Sequence, residues 1–211
     1  MLERQKHPFQ PYIPKNALAV IIGTAPPWNL CCQDLQQLRE GEIAFFYGSI
    51  HNLFWYVMKA VFDPDNPRWP RNRAQCESLL KRWNLGIGDI LQSFVRQNRK
   101  AADDHLTDFT FNTRLLAKIH SSPGIRHLYF TGHFACDLYL KALKQYKYVY
   151  HVQREDRKSF LLYVQHKEKS SYFNCYIVNS PSPRINRSLD EMVEDYRQKF
   201  APIIESTQKS L

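Results

Sequence analysis

The sequence predicts an α/β fold, a three-layer α/β/α sandwich with a mainly parallel central sheet and an antiparallel hairpin at its edge. Residues 17–22 form a continuous apolar run, which is typical of a parallel strand covered on both faces. Residues 127–131 and 134–145 read as a strand, a turn and a helix, and this order predicts parallel pairing. Residues 160–165 and 172–178 are aromatic-rich strands joined by a short polar segment, which predicts the edge hairpin.

The remaining elements follow from apolar periodicity and from the positions of proline and glycine. Residues 1–16 contain three prolines and are expected to form an extended arm before a single domain of residues 17–211. Two proline-rich loops are expected at residues 23–27 and 179–186, and a basic loop at residues 63–73. Helices are predicted at residues 53–62, 74–83, 87–97, 111–120, 134–145 and 189–204.

Composition excludes several classes of protein. The chain has 211 residues, 44% of them hydrophobic, which suits one globular domain and argues against a disordered or fibrous protein. Its five cysteines lack the spacing of a metal site or a disulfide framework, so they are expected to be reduced structural thiols, with no metal and no cofactor.

The chain is expected to be a soluble intracellular protein. The longest apolar run is too short to cross a bilayer, and the N-terminus lacks the apolar core of a signal peptide. A cytoplasmic, nucleoid-associated location is expected in a bacterium and a nuclear one otherwise. The net charge of +9 favours polyanionic partners, although charge alone is a weak indication.

Four segments are expected to meet at one edge of the predicted sheet. In an open α/β sheet, ligands bind outside the carboxyl ends of the strands. Three segments directly follow predicted strands, and a fourth, rich in aromatic and amide groups, precedes a helix. These segments are GTAPP from Gly23, TGH from Thr131, NSPSP from Asn179 and FFYGSIHNLFW from Phe45.

The motifs IIGTAPP and FYGSIHNLFW resemble the paired opening motifs of the uracil-DNA glycosylase superfamily, closest to its hypoxanthine-DNA glycosylase branch. The resemblance continues through NLGIGDILQSFVRQ, similar to a glycine-rich helix start, then LYFTGHFA and VNSPSP, and it spans residues 18–188. It implies a monofunctional, metal-independent DNA glycosylase of base excision repair. Such an enzyme flips a deaminated base (hypoxanthine, xanthine or uracil) out of DNA and leaves an abasic site. The expected partner is DNA with a damaged base, and a monomer is expected.

Glycosidic cleavage requires a ring to stack on the base and a group to position water. Phe54 or Tyr47 could supply the ring, and the resemblance implies Phe54; the less favoured alternative is that Phe54 is a core residue. An amide can position water without carrying a charge, and the resemblance implies that Asn52 is this catalytic residue. The alternative is that Asn52 is only a helix N-cap before Leu53.

The departing base and the DNA backbone need hydrogen-bond donors and cations. Backbone N–H groups or the His133 side chain could stabilise the leaving base, although a His at this place more often caps or packs. The resemblance implies that Thr131 and Gly132 read the base edge, unless they are plain turn residues. The resemblance implies that the Ser/Pro loop compresses the DNA backbone, with arginines on phosphates. The alternative for this loop is an ordinary Ser/Pro turn with solvated arginines. Five cations on the edge hairpin could widen the DNA footprint, or they could only solubilise the edge of the sheet. The candidates are Gly23, Thr24 and Ala25 for the base, Ser180, Pro181, Ser182, Pro183, Arg184 and Arg187 for DNA, and Arg154, Arg157, Lys158, Lys167 and Lys169 on the hairpin.

The sequence departs from the uracil-specific branches at two positions. Thr24 and Ala25 stand where those branches have Asp or Asn, and Asn179 stands in place of a His, so a deaminated base other than uracil is favoured. Strand cleavage is not expected, because no lysine lies in the candidate loops. The main alternative is a catalytically inactive module that keeps the scaffold and binds nucleic acid, and a weaker one is cleavage of free nucleosides or RNA.

Overall fold

The computed structural model describes residues 3–32, 38–65, 69–97, 105–182 and 187–208. The strands are β1 (Glu3–Lys6), β2 (Ala19–Gly23), β3 (Leu85–Asp89), β4 (Leu91–Arg96), β5 (Leu106–Phe111), β6 (His127–Phe130), β7 (Val149–Arg154), β8 (Ser159–His166) and β9 (Lys169–Ile177). The helices are α1 (Trp28–Cys32), α2 (Phe54–Phe62), α3 (Arg73–Arg82), α4 (Thr113–Ser121), α5 (His133–Gln145) and α6 (Leu189–Gln208).

The central sheet has the strand order β3-β2-β6-β9-β8-β7. Strands β3, β2, β6 and β9 are parallel to one another. At one side of the sheet β8 runs antiparallel to β9, and β7 runs antiparallel to β8. The mainly parallel sheet and the β8–β9 hairpin are therefore confirmed. Because β7 pairs with the outer side of β8, β7 is the edge strand on this side, which the sequence did not predict, and β3 is the edge strand on the other side.

Helices cover both faces of this sheet, as the three-layer prediction requires. Val20 and Ile22 of β2 pack into a cluster with apolar residues of α4 and α5. Ala19 and Ile21 point to the opposite face and pack with residues of α2, α3 and α6. All four side chains are fully buried, as expected for the strand with an uninterrupted apolar run.

The helix predicted at residues 87–97 is wrong, and so is the comparison of this segment with a glycine-rich helix start. The segment lies mostly in β3 and β4, and β4 pairs antiparallel with β1 and β5 in a second, three-stranded sheet. The glycines of β3 explain the difference, because a Cβ at Gly88 would lie 2.8 Å from the Leu115 side chain. Glycine permits this close approach and weakens a helix.

The N-terminal segment packs against both sheets. Residues 3–6 form β1, and Tyr12 exchanges two backbone hydrogen bonds with Ile87 of the edge strand β3, at 3.0 and 2.8 Å. Phe9 is buried between these contacts. The segment thereby covers a strand edge that would otherwise be open to pairing with other chains.

Four cysteines have described side chains, and all four are free thiols. Burial raises the pKa of Cys76 and of Cys136 to about 12, so these two thiols are inert packing groups. No helix within the described part of the chain is long and apolar enough to span a membrane.

Candidate functional site

The predicted segments meet at the carboxyl ends of the parallel strands. The backbone N–H of Thr131, directly after β6, donates to the carbonyl of Ile22 in β2 at 3.1 Å. The Tyr47 hydroxyl lies 3.0 Å from Thr131 Oγ1. The N–H of Leu53, directly before α2, donates to the carbonyl of Pro181 at 3.1 Å. These contacts join the loop before α2 to the segments after β2, β6 and β9.

Tyr47 is held in a strained backbone conformation by its surroundings. Its φ of 55° is in the left-handed region, which is uncommon for a non-glycine residue and is often found at functional sites. The next residue must be glycine, because a Cβ at Gly48 would lie 1.9 Å from the Ile43 carbonyl oxygen. The Tyr47 ring stacks on Phe54, with ring centroids 4.2 Å apart and an interplanar angle of 20°.

The two rings named as base-stacking candidates differ in access. Phe54 is 0% exposed, whereas Tyr47 is only partly buried and lines a cavity of about 590 Å³. Phe54 therefore supports Tyr47 from behind and has no face left for a base. Phe54 is therefore a core residue, which was the alternative to a stacking role, and Tyr47 is the ring that is accessible from the cavity.

Asn52 lies at the start of α2 and lines the same cavity. Its Oδ1 accepts the N–H of Phe54 at 2.9 Å, and its own N–H donates to the Ser49 carbonyl at 2.9 Å. The N-cap residue is Leu53, so Asn52 satisfies the first helical N–H from one position earlier. Within the described part of the chain, Asn52 Nδ2 has no hydrogen-bond partner.

Asp89 is a residue of this region that sequence reasoning missed. It ends β3, and its Oδ1 lies 2.3 Å from the position that a Cβ would take at Gly23, while Tyr47 Oη lies 2.4 Å from the same point. Asp89 Oδ2 lies 2.8 Å from His7 Nε2, and both residues are buried. Because His7 Nδ1 accepts the N–H of Phe9 at 3.0 Å, Nε2 holds the ring proton and donates it to Asp89. The alternation of Leu85, Ile87 and Asp89 is the strand signal that would have found this carboxylate.

The other base-site candidates lie around the ends of β2 and β6. Thr24 is buried and its carbonyl accepts the N–H of Leu91 at 3.2 Å, and Ala25 is half-buried beside it. Gly132 caps α5 with a φ of 131°, a conformation that favours glycine. His133 is the exposed first residue of α5.

The loop after β9 is anchored at its first residues. The N–H of Asn179 donates to Asp195 Oδ2 at 2.8 Å, and its carbonyl accepts the Tyr196 hydroxyl at 3.0 Å. Burial raises the pKa of Tyr196, which keeps this hydroxyl protonated as a donor. Ser180 Oγ accepts the N–H of Ser182 at 3.3 Å.

The remaining candidates of this loop differ in what the structure says of them. Pro181 is buried, and Arg187 is exposed. Pro183 and Arg184 lie outside the described residues.

The five cations predicted to widen the DNA footprint fall into two groups. Ser159 pairs with Tyr176 and His166 with Lys169, so the ends of β8 lie at opposite ends of the sheet. At the candidate-site end are Arg154 and Arg157, both exposed, and Lys158, which donates to Asn179 Oδ1 at 2.7 Å. Lys167 and Lys169 lie at the other end, roughly 25 Å away at the usual rise of a strand.

No group of three or more His, Cys, Asp or Glu side chains suited to a metal ion occurs among the residues that the structure describes.

Comparisons with known proteins reveal a similarity of fold. No family model matches the chain, and no curated protein sequence matches it significantly. The chain is similar to the solution NMR structure of a putative uracil DNA glycosylase from Methanosarcina acetivorans, with 16% sequence identity and a TM-score of 0.52. The match covers 94% of this chain and 98% of that chain. The predicted resemblance to the uracil-DNA glycosylase superfamily is thus supported in fold, while the hypoxanthine branch stays a prediction.

Proposed function

We propose that this chain is a monofunctional DNA glycosylase that flips a deaminated base out of DNA and hydrolyses its N-glycosidic bond, leaving an abasic site. The proposal depends mainly on one observation: the Asn52 amide and the accessible Tyr47 ring line one cavity, and the Tyr47 hydroxyl contacts Thr131 at the carboxyl end of β6. Ligands of open α/β folds bind at this edge.

Asn52 is proposed to position the water that attacks the sugar. One lone pair of Oδ1 is taken by the Phe54 N–H, which fixes the plane of the amide. The second lone pair and the Nδ2 hydrogens remain for a water molecule. As the glycosidic bond breaks, the sugar develops oxocarbenium character and attracts this oriented water.

Tyr47 is proposed to stack on the flipped base, with Phe54 behind it. Its hydroxyl contact with Thr131 holds the ring in place before a base arrives, so little ordering is needed on binding. The base leaves with anionic character, and the backbone N–H groups at the start of α5, next to Gly132 and His133, supply positive partial charge.

The proposed substrates are hypoxanthine, xanthine and uracil in DNA, with a base other than uracil favoured because Thr24, Ala25 and Asn179 depart from the residues of the uracil-specific branches. Hydrolysis without strand cleavage is proposed, because no lysine is among the described residues that line the cavity. A monomer acting without metal or cofactor suffices for this chemistry.

The test is excision from oligonucleotides that carry a single uracil, hypoxanthine or xanthine, scored as released free base and as alkali-labile sites. Asn52→Ala is expected to lower excision about 100-fold or more while DNA is still bound. Asn16→Ala is the matched control, because Asn16 precedes β2, at the end of the parallel strands opposite to the candidate site, and its side chain donates to the Lys81 carbonyl at 3.0 Å. It is expected to cost about 1 kcal/mol of stability and to leave excision unchanged.

Two outcomes would contradict the proposal. DNA binding without release of any base indicates the inactive binding module. Cleavage of free nucleosides but not of oligonucleotides indicates the nucleoside enzyme. Unchanged excision by Asn52→Ala would remove Asn52 from the mechanism while leaving the activity assigned.

A further inference from the structure

Two exposed aromatic side chains lie against each other beside the candidate active site. Tyr56 of α2 is 44% exposed and Trp69 is 39% exposed, and their ring centroids are 4.1 Å apart at an interplanar angle of 45°. Both line the cavity that Asn52 and Tyr47 also line. Most large aromatic side chains of this protein are buried, so an exposed pair at this place requires an explanation.

The pair has a fixed inner side and an open outer side. Lys59, one helical turn after Tyr56, places Nζ 5.4 Å from the centroid of the Trp69 ring and also donates to the Asp63 carbonyl at 3.2 Å. Tyr56 and Lys59 share one face of α2, so Trp69 packs on that face. The exposed part of Trp69 therefore faces away from the helix.

The cavity is lined by charged side chains of both signs. Arg71, two residues after Trp69, is exposed, and its guanidinium makes no hydrogen bond or ion pair within the described part of the chain. Of the two acidic lining residues, Glu40 is exposed, whereas Glu42 is buried and accepts from Asn29 Nδ2 at 2.8 Å and from the N–H of Arg39 at 3.2 Å. A phosphate is favoured beside Arg71 and disfavoured beside Glu40.

We propose that Tyr56 and Trp69 form a stacking platform for an unpaired nucleobase of the DNA strand, next to the nucleotide that enters the site, with Arg71 on its phosphate. The position of this stacked base relative to the reacting nucleotide rests on the proposed function. Aromatic platforms next to a cation bind single strands without reading sequence, because every base offers a π face. A base in a duplex is already stacked and paired, so the platform favours single-stranded over double-stranded DNA.

The experiment measures binding of undamaged oligothymidylate of about twelve nucleotides by fluorescence anisotropy, with a duplex of equal length beside it. Trp69→Ala is expected to weaken single-strand binding roughly 10-fold and to change duplex binding less than 3-fold. Trp69→Phe keeps a π face and is expected to stay within about 3-fold of the wild type. Tyr172→Ala is the matched control, because Tyr172 is 68% exposed and lies near the end of β9 that is farther from the candidate site.

Equal single-strand binding by Trp69→Ala and the wild type would overturn the platform, as would an equal loss for both forms of DNA. Tighter binding of an RNA strand than of oligothymidylate would overturn the assignment to DNA. Binding of undamaged DNA does not require excision, so the two proposals can fail separately. If Trp69→Ala binds single strands as tightly as the wild type while bases are still released, only this inference is contradicted. If Trp69→Ala weakens single-strand binding but no base is released by the wild type, only the proposed enzyme is contradicted.

Discussion

Gly23 shows how a missing side chain shapes the candidate site. A Cβ there would meet Asp89 Oδ1 at 2.3 Å and Tyr47 Oη at 2.4 Å, so Gly23→Ala forces both oxygens to move. We expect a loss of about 1 to 3 kcal/mol in the free energy of unfolding, measured by urea denaturation. Tyr47→Phe removes one of the two clashing oxygens and is expected to relieve part of this loss.

The double variant distinguishes this steric explanation from a general effect of substitution. The losses of Gly23→Ala and Tyr47→Phe are expected to sum to more than the loss of the double variant, by at least about 0.5 kcal/mol. Strict additivity of the two substitutions would show that the two positions do not interact.

His120 makes stability depend on pH below neutrality. Burial, with a contribution from His166, lowers the pKa of His120 to about 4 in the folded protein, against an ordinary value of 6.5. Between these values the unfolded chain binds a proton that the folded protein excludes, so stability falls as the pH drops from 6.5 towards 4. The expected loss in the free energy of unfolding between neutral pH and pH 4 is up to roughly 3 kcal/mol.

The measurement is urea unfolding of wild type and His120→Gln at several pH values between 4 and 7. Glutamine can still accept from the Tyr139 hydroxyl, which lies 3.1 Å from His120 Nε2. The wild type is expected to lose more stability with falling pH than this variant. His51→Gln, at an exposed position, serves as the control, and parallel pH curves for wild type and His120→Gln would exclude this role.

Single residues were harder to predict than the segments that contain them. The rule that ligands bind at strand ends placed Asn52, Tyr47 and Thr131 in neighbouring loops, and the structure brings these loops together. Which ring faces the cavity depends on backbone conformation, and the left-handed φ of Tyr47 has no reliable signal in the sequence. Asp89 was missed because its segment was interpreted as helical.

At the scale of elements, the N-terminal segment is predicted to be part of the folded core. Removing residues 1–9 takes away β1, the buried Phe9 and the His7 partner of Asp89. We expect the truncated chain to lose at least about 3 kcal/mol of stability, because burying a phenylalanine alone is worth this much. Urea unfolding measures the loss, and size-exclusion chromatography reports pairing through the uncovered edge of β4.

A truncation of residues 209–211 is the control, since it leaves all of these contacts in place. A variant lacking residues 1–9 with wild-type stability would show that the segment lies on the surface without supporting it.

An element could be predicted well when the pattern of its apolar residues directly reflects which side chains are buried. The apolar run of β2 and the periodic helices α2, α4 and α5 were predicted close to their observed bounds. By contrast, β4 and β5 pair at long range in a small sheet whose pattern is only half apolar, and the spacing of Ile90, Leu91 and Phe94 also suits a helix. Tertiary pairing decided between the two, and a single sequence does not show it.

At the scale of the whole molecule, the net charge of +9 gains meaning from where the cations lie. Exposed Arg154 and Arg157 lie at the end of the sheet that carries the candidate site, whereas Lys167 and Lys169 lie at the far end. DNA bound across the candidate site can contact the first pair and leaves the second pair in solvent. Each phosphate contact releases counterions, so the dependence of affinity on salt counts these contacts.

This arrangement predicts different salt dependence for two double variants of equal charge change. Arg154→Ala with Arg157→Ala is expected to lower the slope of log Kd against log salt by about 1.5 to 2, because two phosphate contacts are lost. Lys167→Ala with Lys169→Ala is expected to leave the slope unchanged, although it removes the same net charge. Fluorescence anisotropy titrations with one oligonucleotide at four salt concentrations measure both slopes. Equal reductions would mean that the protein's overall charge, and not the placement of its cations around the candidate site, controls DNA binding.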